Sequence, residues 1–118
     1  ELAGARVAGP KPVIEALNGA GAGLVGQPRI PSLAARIVAV ASGALDAAFA
    51  SRDSHDWDLA AADLILHEAG GALTDLDGAV LRYNRTELRH AELLAAPAPL
   101  RQALLDAARI AFRARAAR

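Results

Sequence analysis

Asp53, His55, Asp56 and Asp58 form the densest group of hard ligands in the chain, immediately before an apolar run that closes on Gly70-Gly71. Carboxylates so grouped suit magnesium, which takes one or two of them together with water and substrate phosphate. They equally suit a helix start. Asp56 or His55 can accept from the orphan backbone N–H groups there, and Gly70 can supply the left-handed residue that ends the helix. Asp58 then falls in the first turn, beside the positive end of the helix dipole, and stays ionised in either role. Spacing alone favours the cap over the ligand.

Other chemistry finds less support. The histidines are not spaced as partners on a helix face, so no zinc signature is present. Ser32, Ser42, Ser51 and Ser54 lack the Gly-x-Ser-x-Gly elbow of a nucleophile. The glycine-rich stretch 18–26 matches neither the dinucleotide fingerprint nor the Walker loop, and is read as a turn. Glu68 is expected to bond the backbone of the turn that follows it. His90 is read as a surface residue in a polar loop, and Tyr83-Asn84 as a strand end with a loop cap.

The elements that must position these residues alternate along the chain. A short strand over residues 2–7 ends at Gly9-Pro10, and a helix opens at Pro12 and runs through Leu17. Ser32 caps a second helix, expected to be largely buried and broken only by Arg36, which Gly43 stops. Residues 45–50 suit a buried strand with Phe49 facing a core. The central helix, about residues 57–69, is apolar nearly all round, with Asp63 and His67 marking its solvent edge. Strands are expected over 72–75, 80–83 and 92–96, with a turn at 75–78. A final helix begins at Pro97 and Pro99, turns Leu100, Leu104, Ala108 and Ala111 inward, and frays from Arg113. This order predicts a layered α/β fold with a mostly parallel or mixed sheet.

The 118 residues suffice for one domain with a genuine core. A formal net charge of zero gives no electrostatic reason to expect a nucleic-acid polymer or a membrane surface. No apolar run approaches the roughly 18–20 residues of a bilayer span. The absence of cysteine fits a cytoplasmic setting. The chain has no methionine and opens on Glu1, which reads as a processed start or a piece of a longer protein.

Trp57-Asp58-Leu59-Ala60-Ala61 followed by Glu68-Ala69-Gly70-Gly71 resembles the C-terminal signature of the inositol monophosphatase family. Gly78, Leu81, Tyr83 and Asn84 are similar to a run found in many members, especially the 3′(2′),5′-bisphosphate nucleotidases. The resemblance implies an αβαβα sandwich and a Mg2+-dependent phosphomonoesterase acting on a small phosphorylated substrate. The bisphosphate nucleotides and the inositol monophosphates are the two implied classes. It implies that Asp58 is a metal ligand and that Ser51, Arg52 and His55 lie on the substrate side. Ser51 stands where the family often has a glutamate that holds inositol hydroxyls. The acidic Glu-Glu and Asp-Pro-x-Asp-Gly motifs of the family do not occur. Residues 1–118 are therefore expected to be the C-terminal half of such an enzyme, inactive in isolation. A homodimer is the implied assembly. The alternative is a non-catalytic packing or partner-binding domain in which Asp58 is a helix cap.

Overall fold

Short apolar runs punctuated by glycine and proline give alternating strands and helices. The computed structural model describes residues 2–28, 32–50, 54–76, 78, 89–90 and 93–116, with backbone alone for 54–58, 89–90 and 112–116. β1 (Arg6–Ala8) is followed by α1 (Lys11–Gly19), which carries Pro12 in its first turn, where a missing N–H costs nothing. Asn18 then clamps the loop beyond it. Its Oδ1 accepts from the Leu24 N–H at 2.7 Å and its Nδ2 donates to the Leu24 carbonyl at 3.1 Å. The glycine-rich stretch expected only as a turn thus delivers a further strand, β2 (Val25–Gly26), parallel to β1.

α2 (Leu33–Ser42) starts as its sequence requires. The Ser32 hydroxyl accepts from the Ala35 N–H at 3.2 Å, and Gly43 ends the helix at φ 85°. β3 (Ala47–Ala50), β4 (Ser54–His55) and α3 (Asp56–Glu68) come next. Gly70 terminates α3 at φ 89°, and its N–H donates to the His67 carbonyl at 3.0 Å. The chain then forms β5 (Gly71–Asp75), β6 (Arg89–His90), β7 (Leu93–Pro97) and α4 (Ala98–Ala116). The turn after β5 closes through the Gly78 N–H on the Asp75 carbonyl at 3.1 Å.

The main sheet is mixed, with strand order β2-β1-β3-β7-β5. β1 is parallel to both β2 and β3, whereas β7 is antiparallel to β3 and β5. β4 and β6 make a separate antiparallel pair. Strand periodicity divides the core into two halves. Val7, Ala47, Phe49, Leu94 and Ala96 face α1 and α4. Ala8, Ala48, Ala50, Leu93 and Ala95 face α2 and α3. Each fully buried large side chain, such as Phe49, Leu17 or Leu104, contributes about 1.5–3 kcal/mol. The layered α/β class read from the sequence is the one observed, with two helices on each face of the sheet.

Asp46 staples the starts of β1 and β3 together. Its Oδ2 accepts from the Arg6 backbone N–H at 2.7 Å and from Arg6 Nε at 3.2 Å, and its Oδ1 accepts from Arg6 Nη2 at 3.2 Å. These bonds hold the Asp46 carboxyl below the usual carboxylate range and raise Arg6 above its ordinary value.

Several expectations need correction. The first strand is shorter than residues 2–7 suggested, because Ala3-Gly4 turns before it. α3 is not buried all round: Leu59, Ala62 and Leu66 are inside, but Leu64 is 61% and Ile65 48% exposed. α2 buries Ile37 and Val40 yet leaves Val38 37% exposed, so it too is one-sided. A helix lying on one sheet face buries only the stripe that meets it. Arg89 and His90 belong to a strand pair rather than a loop. α4 continues helical to Ala116, past the expected fraying point. The strand expected over 80–83 lies outside the described residues.

Candidate active site

Three parallel strands end on one edge of the sheet, and two of them lead from there into helix starts. β1 passes through Gly9-Pro10 into α1. β3 passes through residues 51–53 and β4 into α3. This carboxyl edge is where open α/β sheets usually hold ligands. Close strand packing shapes it. A Cβ on Gly9 would lie 3.0 Å from Phe49 Cβ and 3.1 Å from the Phe49 carbonyl oxygen, so only glycine fits there without displacing β3.

A cavity of about 610 Å³ opens on this edge, lined by Gly9, Pro10, Lys11, Ile14, Glu15, Gly26, Gln27 and Arg36. Arg36 ties it to the central strand, since its Nη1 donates to the Phe49 carbonyl at 3.3 Å. Lys11 and Glu15 form an exposed ion pair at 3.8 Å on the rim, too solvated to fix geometry strongly. The cavity therefore offers partly apolar walls with two cations, one carboxylate and an amide. The sequence carried one signal for it: Arg36 is the only charge in an otherwise apolar helix. Nothing in residue spacing marked Lys11 or Gln27.

Asp58 is the third residue of α3, in its first turn, and so sits on backbone whose free N–H groups favour a carboxylate. His55 closes β4 directly opposite Arg89, and Ser54 lies opposite His90. That pairing brings two sequence-distant basic residues to the entrance of α3. The side chains of these residues, and the whole of Ser51, Arg52, Asp53, Tyr83 and Asn84, lie outside what the structure describes. Glu68, expected to bond the backbone of the turn that follows it, is exposed at the end of α3.

Among the described residues no three acidic, histidine or cysteine side chains converge on a common point. The chemistry of one carboxylate at Asp58 fits magnesium, which fills its remaining positions with water and phosphate. Among the described residues no helix is long and apolar enough to cross a membrane.

A mixed sheet with helix pairs on both faces and a cleft at its parallel edge defines a layered α/β protein. The sequence matches the inositol monophosphatase family over residues 7–112, and the chain belongs to that family. It is 48% identical over 42 residues to 3′(2′),5′-bisphosphate nucleotidase 1 of Mus musculus, a stretch that is 36% of this chain and 13% of that protein. The extragenic suppressor protein suhB of Bartonella henselae superposes with a TM-score of 0.71 at 26% identity, covering 92% of this chain and 43% of that one. An IMPase/NADP phosphatase complexed with Mg2+ and phosphate superposes with a TM-score of 0.73 at 17% identity, over 91% of this chain and 40% of that one. The chain thus spans less than half the length of the solved structures it matches.

Proposed function

We propose that this chain is the C-terminal part, and one wall of the active site, of a magnesium-dependent phosphomonoesterase. The substrate is a small phosphate ester, a 3′(2′),5′-bisphosphate nucleotide or an inositol monophosphate. The observation that carries the reading is the placement of Asp58. It stands in the Trp-Asp…Glu-Ala-Gly-Gly signature and in the first turn of α3, which the chain enters from β3 by way of residues 51–53 and the short strand β4. The nucleotidase relative supports a nucleotide substrate. The neighbour complexed with Mg2+ and phosphate supports the metal.

In this reading Asp58 holds Mg2+, assisted by the helix dipole that keeps the carboxylate ionised. When bound, the metal polarises a phosphoryl oxygen and lowers the pKa of a coordinated water. Arg52 and His55 orient the phosphate beside it, and Ser51, in place of a longer acid, leaves room for a group other than inositol hydroxyls. The enzyme is cytoplasmic and homodimeric. The remaining carboxylates come from the part of the enzyme outside these 118 residues, so the chain alone is inactive.

A second reading is a non-catalytic domain with Asp58 as a cap, which its place in the first turn of α3 allows as well. Asp58→Asn in the longer protein separates the two. The amide keeps a capping oxygen but not the charge. The phosphatase reading expects loss of at least 100-fold in magnesium-dependent turnover with the melting temperature nearly unchanged. Unchanged turnover in Asp58→Asn, with a stability loss only on Asp58→Ala, would establish the cap instead.

A further inference from the structure

β1 leaves the sheet while β3 still turns a carbonyl toward it. The register sets Val7 against Ala47 and Ala8 against Ala48. The Val7 carbonyl accepts from the Gln27 N–H on the β2 side, so the Ala8 carbonyl turns to β3 and meets the N–H of the residue after Ala48. That residue is Phe49, and its own carbonyl points the same way. One step further along the register, Gly9 faces Phe49. A Cβ on Gly9 would indeed lie 3.1 Å from the Phe49 carbonyl oxygen and 3.3 Å from its nitrogen. The next donor in the ladder belongs to residue 10, which is proline and has no N–H. Pro10 suits the entry to α1, where its carbonyl accepts from the Val13 and Ile14 N–H groups at 3.0 and 3.3 Å. The same ring removes the last rung between β1 and β3.

A side chain from the adjoining helix layer supplies the donor. Arg36 Nη1 donates to the Phe49 carbonyl at 3.3 Å. Arg36 is the single charge of α2 and is half-buried in an apolar stretch, where a guanidinium is tolerated only with partners. The carbonyl needs its partner equally, since Phe49 is only 2% exposed. The place of this bond gives it a consequence for the site. β3 ends at Ala50, one residue after Phe49, and the chain then runs through residues 51–53 and β4 into α3 and Asp58. Ala50 and Leu59, at the two ends of that segment, are buried in the same core half as Ile37, the neighbour of Arg36.

We propose that the Arg36 guanidinium takes the place of the backbone donor that Pro10 lacks, and so positions Asp58 by fixing the point at which the chain leaves β3 for α3. Arg36 is a positioning residue. It acts through the Phe49 carbonyl rather than by contact with substrate, although it also lines the cavity. This rests on the reading of Asp58 as the metal ligand, and adds what holds that carboxylate in place relative to the sheet.

The test is a cycle of Arg36→Met and Pro10→Ala in the longer protein. Methionine keeps an apolar stem without the donor, and alanine restores an N–H at residue 10. Arg36→Met alone should lower the melting temperature by about 4–8 °C and speed amide exchange over residues 49–58. It should also raise the Mg2+ concentration for half-maximal turnover by at least about fivefold, with the substrate KM at saturating Mg2+ moved by less than about twofold. Adding Pro10→Ala should bring exchange and Mg2+ dependence back to within about twofold of the parent protein. Arg36→Lys, which keeps a donor on a different head group, should lose less than Arg36→Met in each measurement. Failure of the Pro10→Ala rescue overturns the inference. So does a raised substrate KM with unchanged Mg2+ dependence, which would make Arg36 a substrate contact. Exchange and melting need no catalysis. If Asp58→Asn leaves turnover intact, the phosphatase reading falls, and the rescue of exchange over residues 49–58 still decides whether Arg36 fixes that segment.

Discussion

Gly70 and Gly71 close the signature, yet they are needed for different physical reasons, and substitution separates them. An alanine at 71 would place its methyl 2.6 Å from Leu66 Cδ1, 3.0 Å from Leu66 Cγ and 3.3 Å from the Ala96 carbonyl oxygen. Leu66 is only 1% exposed, held between α3 and the sheet, so it has little room to retreat. Overpacking of this kind costs about 1–3 kcal/mol. With an unfolding entropy near 2.1 cal/mol/K per residue, each kcal/mol is worth about 4 °C in a chain of this length, giving a fall of about 4–12 °C for Gly71→Ala. At Gly70 no atom lies within 4 Å of the added methyl, but φ is 89°. The cost of forcing an L side chain there is about 1–2 kcal/mol, or about 4–8 °C. Thermal unfolding by circular dichroism measures both. The decisive step is the double-mutant cycle with Leu66→Ala. Removing the Leu66 side chain should recover most of the Gly71→Ala loss and none of the Gly70→Ala loss. If Gly71→Ala melts with the wild type, or costs as much with Leu66 truncated, the steric account is wrong.

Two more outcomes rest on single side chains. Thr74 is 2% exposed, and its hydroxyl has no hydrogen-bond partner among the described residues, so Thr74→Val should be neutral or raise stability by up to about 1 kcal/mol in urea titration. Asp46 has a folded pKa lowered by its bonds to Arg6, so its contribution is present above the unfolded value near pH 4 and is lost as pH falls through the folded one. Asp46→Asn should therefore narrow the gap between stability at pH 7 and at pH 2–3, as seen by denaturant unfolding across that range.

Where local chemistry decides structure, the residues are enough. Ser32 and Gly43 bound α2 because a hydroxyl within reach of the Ala35 N–H and a left-handed glycine are short-range requirements. Gly70 ends α3 for the same reason. The alternation of Ala47 to Ala50 and of Leu93 to Ala96 between the two core halves is likewise a property of any strand with those residues. The family signature, too, is written in consecutive residues.

Pairing between distant segments is another matter. No local preference says that β7 enters between β3 and β5, or that Arg89 meets His55. Those registers are set by which apolar faces can be covered together. The cleft at Gly9, Gln27 and Arg36 exists only because β1 and β2 run parallel and α2 crosses near their ends. The apolar composition of α3 said that the helix would be buried, and only its docking on one side of the sheet decided which stripe is. Leu66 meets β5 at Gly71, while Leu64 and Ile65 point away. Hydrophobicity sets how much surface must be covered, but the geometry of the layers sets which residues are covered.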